Sequence, residues 1–122
     1  MKMSGVIPQL RTTGLAETIR FYTAQLGFTL EFQYEDFYAG LRAGSSIVHL
    51  KLADERDASI PYVERGGHFH LYVEVDDAAD AAAEMKAKGV ALVTDVHDTA
   101  WGTREFVLKD DQGHTLYFGQ RR

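Results

Sequence analysis

Apolar residues in the first half of the chain follow a helical spacing in one segment and a strand-like spacing around it. Within residues 14–28 the apolar side chains recur every three or four positions, and Gly27 stands where such a helix would end. Short apolar or alternating runs on either side predict four strands, at 5–11, 29–35, 37–43 and 46–52. The next segment, 53–67, is polar and contains Pro61, so we predict a connection there.

The second half repeats this order of elements. A strand is predicted at 68–75, and a helix follows over 76–89, with Asp76 or Asp77 as its N-cap and Gly89 as its terminator. Three further strands are predicted, at 90–96, 103–110 and 114–120, with Asp110 and Asp111 as formers of the turn between the last two. The order β-α-β-β-β thus occurs twice, with a period of roughly sixty residues.

The repeat predicts an α+β fold in which two tandem modules form curled mixed sheets around a cleft. We assign one domain over 1–122, with modules at 1–53 and 66–120 and a linker at 54–65. The alternating strand faces would supply a lining and an outer side to this cleft.

Composition and charge argue against several kinds of partner for this chain. The 122 residues are 45% hydrophobic and 25% charged, which is typical of one soluble domain. The chain has no Cys, no apolar run long enough to span a bilayer and no apolar block near its N-terminus, so we expect a cytoplasmic protein without a membrane partner. The net charge of −5 argues against a nucleic-acid partner and weakly favours a cationic ligand.

Three segments resemble a known family. They are "VIPQLRTTGLAETIRFYTAQLGF" (6–28), "FQYEDFYAGLRAGSSIVHL" (32–50) and "WGTREFVLKDDQGHTLYFGQ" (101–120). Together with the paired modules they resemble the vicinal-oxygen-chelate superfamily, which includes glyoxalase I, extradiol dioxygenases, fosfomycin-resistance enzymes and bleomycin-resistance proteins. The likeness is greatest to the bleomycin-resistance proteins. Gly14 and Asp111 depart from the usual Asp and Pro of the family at these positions.

The resemblance also locates the four positions that hold a metal ion in the metalloenzymes of the superfamily. Here they are Ile7, His49, His70 and Tyr117. Ile cannot bind a cation and neutral Tyr is a poor ligand, whereas a catalytic site normally needs three protein ligands. We therefore expect no cofactor and keep His49 and His70 as weak candidates for a divalent metal. Strand alternation in "GGHFHLYVE" (66–74) predicts that His68, His70, Tyr72 and Glu74 share one face, with Phe69 on the other.

Aromatic and polar residues at matching positions predict a ligand-binding cleft. In the resembling proteins the hairpin that carries Phe37 and Tyr38 helps to line the cleft, while Trp101 is either an aromatic wall for a ligand or an anchor for its loop. Arg104 and Glu105 are expected to pair across strands. The predicted ligand-binding residues are Phe37, Tyr38, His49, His70, Tyr72, Glu74, Trp101 and Tyr117.

The sequence is compatible with two functions. In the first, the protein binds and sequesters a small organic molecule, such as a cationic antibiotic, without chemistry. In the second, it is a metal-dependent lyase, isomerase or dioxygenase like other members of the superfamily, although no catalytic residue is predicted. The ligand could equally be an unrelated metabolite, because fold alone does not fix function.

The resemblance further predicts a homodimer, since modules in the resembling family pair across a two-fold axis and clefts form from both chains. Light scattering at micromolar concentration is expected to give twice the chain mass of 13.7 kDa. A particle of a single chain's mass would contradict this prediction.

Overall fold

The computed structural model describes residues 1–122 and separates them into two compact units, Met1–Asp57 and Ala58–Arg122. Each unit contains a four-stranded mixed sheet with helical segments packed against it. The predicted α+β fold of two tandem modules is therefore confirmed. None of the helices is long and apolar enough to cross a membrane.

The first unit has the predicted order of elements. Its strands and helix are β1 Gln9–Thr12, α1 Leu15–Arg20, β2 Thr29–Tyr34, β3 Tyr38–Ala43 and β4 Ser46–Leu52. The sheet order is β1-β4-β3-β2, and only the β1–β4 pair is parallel. Strand β1 begins four residues later than predicted, directly after Pro8, because proline has no N–H to donate to a ladder.

The predicted first helix is shorter than expected and continues into a π-helical turn, Phe21–Gln25. The Thr23 hydroxyl donates to the carbonyl of Ile19 at 2.8 Å, so a side chain competes with the backbone for this acceptor. Tyr22 is fully buried in the turn and packs edge-to-face on Phe28 at 5.2 Å. The altered helical pitch thus lies where the helix anchors an aromatic residue in the core.

The second unit contains one element that the sequence pattern did not predict. Its elements are α2 Ser59–Gly66, β5 Leu71–Glu74, α3 Ala78–Ala87, β6 Leu92–Asp98, β7 Thr103–Lys109 and β8 Thr115–Arg121. Helix α2 lies in the segment predicted as a connection and buries Ile60 completely. Pro61 does not interrupt it, because the first N–H groups of a helix have no intrahelical partner. Gly67, at φ 68°, ends the helix in the left-handed conformation.

The sheet of the second unit has the same topology as the first, with the order β5-β8-β7-β6 and a parallel β5–β8 pair. Phe106 and Phe118 stack at 5.1 Å in its core. The predicted N-cap and terminator of the next helix are confirmed. Asp77 caps α3 by accepting from the N–H of Asp80 at 3.0 Å, and Gly89 follows the helix at φ 86°.

Strand β5 begins at Leu71, three residues later than predicted, so the two histidines of the His-Phe-His sequence precede it. The backbone N–H of Thr115 donates to His70 Nδ1 at 3.2 Å. The His70 side chain thus binds the Thr115 N–H, which would otherwise continue the backbone ladder toward residue 68. The strand therefore starts only after His70.

A buried carboxylate organises the turn between β7 and β8. Asp110 Oδ1 accepts from three backbone N–H groups, those of residues 112, 113 and 114, at 2.8–2.9 Å. Its Oδ2 accepts from Nδ1 of the buried His114 at 2.8 Å. Asp110 is therefore the turn former that the sequence predicted, and it fixes the entry into the last strand.

Replacing Asp110 with Ala is expected to lower the free energy of unfolding by at least about 2 kcal/mol, since four donors lose their charged acceptor. Chemical denaturation followed by circular dichroism measures the change. The exposed Asp54 gives the matched control, and Asp54→Ala is expected to change stability by less than about 0.5 kcal/mol. Equal effects of the two substitutions would contradict this account of the turn.

Candidate functional site

Each sheet has one face that packs into the core of its unit and one that carries exposed aromatic and polar side chains. In the first unit, strand pairing aligns Gln9, His49, Gly40 and Phe32 across this second face, which we call the first open face. In the second unit, pairing places Tyr72 beside Tyr117, and Glu105 beside Gly119, on the second open face. Side chains from strands distant in sequence therefore meet on each open face.

A hydrogen-bonded chain orders the polar groups of the first open face. Gln9 Nε2 donates to the Tyr38 hydroxyl at 3.0 Å, and that hydroxyl lies 3.0 Å from His49 Nδ1. With the Tyr38 hydroxyl donating to Nδ1, neutral His49 carries its proton on Nε2. His49 thus offers an N–H donor to this face.

Aromatic rings surround this donor. Phe32 lies nearly parallel to Tyr38, with ring centroids 6.4 Å apart, and His49 stands edge-on to both rings at 5.4 and 5.3 Å. A Cβ at Gly40 would overlap the Phe32 ring, so glycine lets this ring lie flat across the sheet. Phe37 adjoins Tyr38 at 6.4 Å. The structure therefore brings together the predicted residues Phe37, Tyr38 and His49.

Three aromatic rings form a continuous patch on the second open face. The centroids of Phe69 and Tyr117 are 5.1 Å apart, those of Phe69 and Tyr72 are 5.8 Å apart, and those of Tyr72 and Tyr117 are 6.4 Å apart. We call these residues the aromatic patch. Strand alternation wrongly placed Phe69 on the opposite face from Tyr72, because β5 begins only at Leu71 and the alternation does not extend to residue 69.

A buried carboxylate adjoins this patch. Glu105 is 4% exposed, and its Oε2 accepts from the Tyr72 hydroxyl at 2.7 Å and from the Thr103 hydroxyl at 2.9 Å. Arg104, on the opposite face of the strand, pairs across strands with Asp98 at 2.7 Å as expected, whereas the expected cross-strand ion pair of Glu105 does not form. Tyr72 crosses Gly119 to reach Glu105, and a Cβ at Gly119 would overlap the hydroxyl.

These surroundings perturb the ionisation of Tyr72. Burial, followed by the hydrogen bond to the Glu105 carboxylate, raises the pKa of Tyr72 to about 12. Both causes favour the neutral phenol, because the phenolate would lose hydration and meet a second negative charge. Tyr72 therefore remains a hydrogen-bond donor throughout the physiological range.

His70 does not join the open face on which it was predicted. It lies against α2 and the turn at 110–114, where Nδ1 accepts from the Thr115 N–H and its ring stands 4.7 Å from that of His114. Since a backbone N–H can only donate, the proton of neutral His70 is on Nε2, 3.0 Å from the Ser59 hydroxyl oxygen. In this tautomer His70 cannot accept a proton from Ser59, so the pair is not an activated nucleophile.

The remaining predicted residues lie apart from these clusters. Glu74 is exposed and pairs with Arg121 at 2.9 Å, and both residues border an open surface depression. Trp101 lies in the loop between β6 and β7 with 74% of its surface exposed and no ring contact. Of its two predicted roles, this exposure favours a wall for a ligand over an anchor for the loop.

The donor set does not fit the metal centre of the related metalloenzymes. No group of three His, Asp or Glu side chains is placed to hold an ion. Of the two weak candidates, His49 contacts the Tyr38 hydroxyl through Nδ1, and His70 uses both ring nitrogens in hydrogen bonds. That no cofactor binds stays a prediction.

The tandem β-α-β-β-β modules are the architecture of a known class of proteins. The sequence also matches the family model of that class. Residues 6–118 match the Glyoxalase/Bleomycin resistance protein/Dioxygenase superfamily. The chain therefore belongs to this superfamily, as its motifs predicted. No curated protein gives a significant match to the chain.

Solved structures show the same fold at low sequence identity. The bleomycin-binding protein of bleomycin-producing Streptomyces verticillus, complexed with copper(II)-bleomycin, is 22% identical with a TM-score of 0.75, covering 100% of this chain and 99% of its own. TioX from Micromonospora sp. ML1 is 22% identical with a TM-score of 0.78, covering 98% and 100%. A superfamily protein from Alicyclobacillus acidocaldarius is 18% identical with a TM-score of 0.78, covering 97% and 91%.

Sequence reasoning missed several residues of these faces. Phe32 was assigned only to an alternating strand, Glu105 was assigned to an ion pair, and Phe69 was placed on the wrong face. Glycine in a strand is the one signal that pointed toward them, since Gly40 and Gly119 mark places where another group approaches the backbone. Which aromatic ring approaches could not be deduced, because the register between strands is not visible in one sequence.

The raised pKa of Tyr72 predicts its behaviour in alkali. Because the folded-state pKa of about 12 lies above the ordinary value of 10, the stabilisation from Tyr72 is complete below pH 10 and is lost as the pH rises toward 12. Absorbance titration at alkaline pH is expected to show late-ionising tyrosine absorbance, and Tyr72→Phe is expected to remove one residue's share of it. An unchanged titration curve in that variant would contradict the assignment.

Proposed function

We propose that the protein binds and sequesters an organic ligand without converting it, in a cleft built from open sheet faces of a homodimer. The observation that carries this proposal is the pairing of exposed aromatic rings with oriented hydrogen-bonding groups on each open face. Binding sites for organic molecules combine apolar surface with a few placed polar groups in this way. A bleomycin complex of a structural neighbour supports a ligand of that size and chemistry.

The first open face suits a flat, polar ligand. Phe32, Tyr38 and Phe37 supply ring surface, and His49 supplies an Nε2–H donor in the tautomer that accepts from the Tyr38 hydroxyl. A stacked aromatic contact contributes about 0.5–1.5 kcal/mol beyond the area that it buries. A ligand with an aromatic ring and an adjacent hydrogen-bond acceptor uses both features.

A metal-dependent lyase, isomerase or dioxygenase is the second candidate. The observation that favours it is the presence of His49 and His70 at two of the four metal positions of the superfamily. Elemental analysis of protein purified without chelator separates the two functions. One equivalent of Ni, Zn, Fe or Mn that His49→Ala abolishes would overturn sequestration as the function.

Titration with bleomycin tests the first proposal. The emission of Trp101, the only tryptophan, is followed as the drug is added, and a saturable change at micromolar concentration is expected. Tyr38→Ala is expected to weaken binding about tenfold, which corresponds to the loss of one stacked contact. Tyr62→Ala is the matched control, because Tyr62 is 69% exposed on α2 and belongs to neither open face.

Two outcomes of the bleomycin titration would contradict the proposal. No change in emission and no calorimetric heat up to millimolar bleomycin would remove the drug as a ligand. Equal weakening in Tyr38→Ala and Tyr62→Ala would remove the first open face as its binding surface.

A further inference from the structure

Glu105 is a buried carboxylate without a cationic partner. No ion pair of the protein includes it, although it is 4% exposed. Its two hydrogen-bond donors, the hydroxyls of Tyr72 and Thr103, are neutral. A buried charge is costly unless it is paired, so an uncompensated carboxylate at this place points to a partner from outside the chain.

The two donors leave one carboxylate oxygen unused. Both hydroxyls bind Oε2, and Oε1 has no hydrogen-bond partner. The only side-chain atoms that are buried without a partner are His114 Nε2 and Thr115 Oγ1, so Glu105 Oε1 is reached by solvent. The carboxylate is thus held firmly through one oxygen and offers the other to a ligand.

Nearby basic side chains are committed elsewhere. Arg121 aligns with Thr103 in the sheet but binds Glu74 at 2.9 Å, and Lys109 binds Glu64 at 2.8 Å. His97 aligns with Glu105, and its Nδ1 lies 3.0 Å from the carbonyl oxygen of Asp95. None of these groups neutralises Glu105 in the folded chain.

The aromatic patch lies beside this carboxylate, and Tyr72 belongs to both. Its ring contacts those of Phe69 and Tyr117, and its hydroxyl binds Glu105. Phe69 is 47% exposed, so part of the patch faces solvent. Ring faces attract cations, and they do so best when the cation carries little bound water.

We propose that the second open face binds a substituted ammonium group of an organic ligand, with its charge toward Glu105 Oε1 and its alkyl substituents on the aromatic patch. This inference rests on the proposed function and names the chemistry of the ligand at one face. A single carboxylate provides too few ligands for a divalent metal ion. Alkyl substituents favour the patch, because they are apolar and shed water readily.

Choline and 3,3-dimethylbutan-1-ol test this proposal, since they share one shape and differ in charge. Binding of each is measured from chemical-shift changes in NMR spectra of the full chain. Choline is expected to bind about tenfold more tightly than the neutral alcohol, in line with a cation held against aromatic rings and a carboxylate. Equal affinities for the two compounds would overturn the proposal.

Two variants locate the effect. Glu105→Gln keeps the acceptor for both hydroxyls and removes the charge, so the preference for choline is expected to fall to the few-fold part that the aromatic rings supply. Asp98→Asn is the control and is expected to keep the preference, because Asp98 is exposed and pairs with Arg104 on the opposite face of the sheet. An undiminished preference in Glu105→Gln, in protein with an unchanged circular dichroism spectrum, would overturn the assignment.

Phe69→Leu keeps the test decisive if Glu105→Gln does not fold. Phe69 is half exposed, and Leu retains apolar volume without a ring. Choline is expected to bind several-fold more weakly to this variant, with the neutral alcohol unchanged, and equal loss for both compounds would count against the proposal.

The results with choline and the results with bleomycin test different claims. Drug binding without choline preference removes only this inference, and choline preference without drug binding removes only bleomycin as the ligand.

Discussion

Parallel pairing between the first and last strands of each module is the constraint on which both open faces depend. A parallel pair requires a long crossover, and each module fills it with a helix and two further strands. The pairing sets Gln9 beside His49 in one unit and Tyr72 beside Tyr117 in the other. Residues some forty positions apart thereby reach hydrogen-bonding and ring-contact distance, so the fold itself assembles the candidate site.

The two buried carboxylates of the second unit, Asp110 and Glu105, differ in how many of their oxygens accept hydrogen bonds. Asp110 accepts four hydrogen bonds through both oxygens and holds the turn before the last strand. Glu105 accepts two hydrogen bonds, both through Oε2, and leaves Oε1 without a partner. A fully satisfied carboxylate contributes to stability, whereas a partly satisfied one keeps capacity for a ligand. This difference separates the structural acid from the candidate binding acid.

Strand glycines have a related role on both faces. Gly40 and Gly119 leave space in which Phe32 and Tyr72 lie flat against the sheet. Each ring is consequently held from below by backbone and exposes its other side. Rings that are fixed in this way lose little conformational freedom when a flat or cationic ligand binds, which favours affinity.

The sequence by itself determined the tandem α+β modules, the caps of α3, the Asp110 turn and the family, because periodicity and turn chemistry are local properties. It also predicted Tyr38, His49 and Tyr117 as ligand-binding residues through matched motifs, and Tyr72 through strand alternation. Only the tertiary structure decided that His70 turns away, that Phe69 joins the aromatic patch and that Glu105 meets Tyr72. These contacts depend on where β5 begins and on the register between distant strands. Both are selected by the packing of the whole unit, so a single sequence does not reveal them.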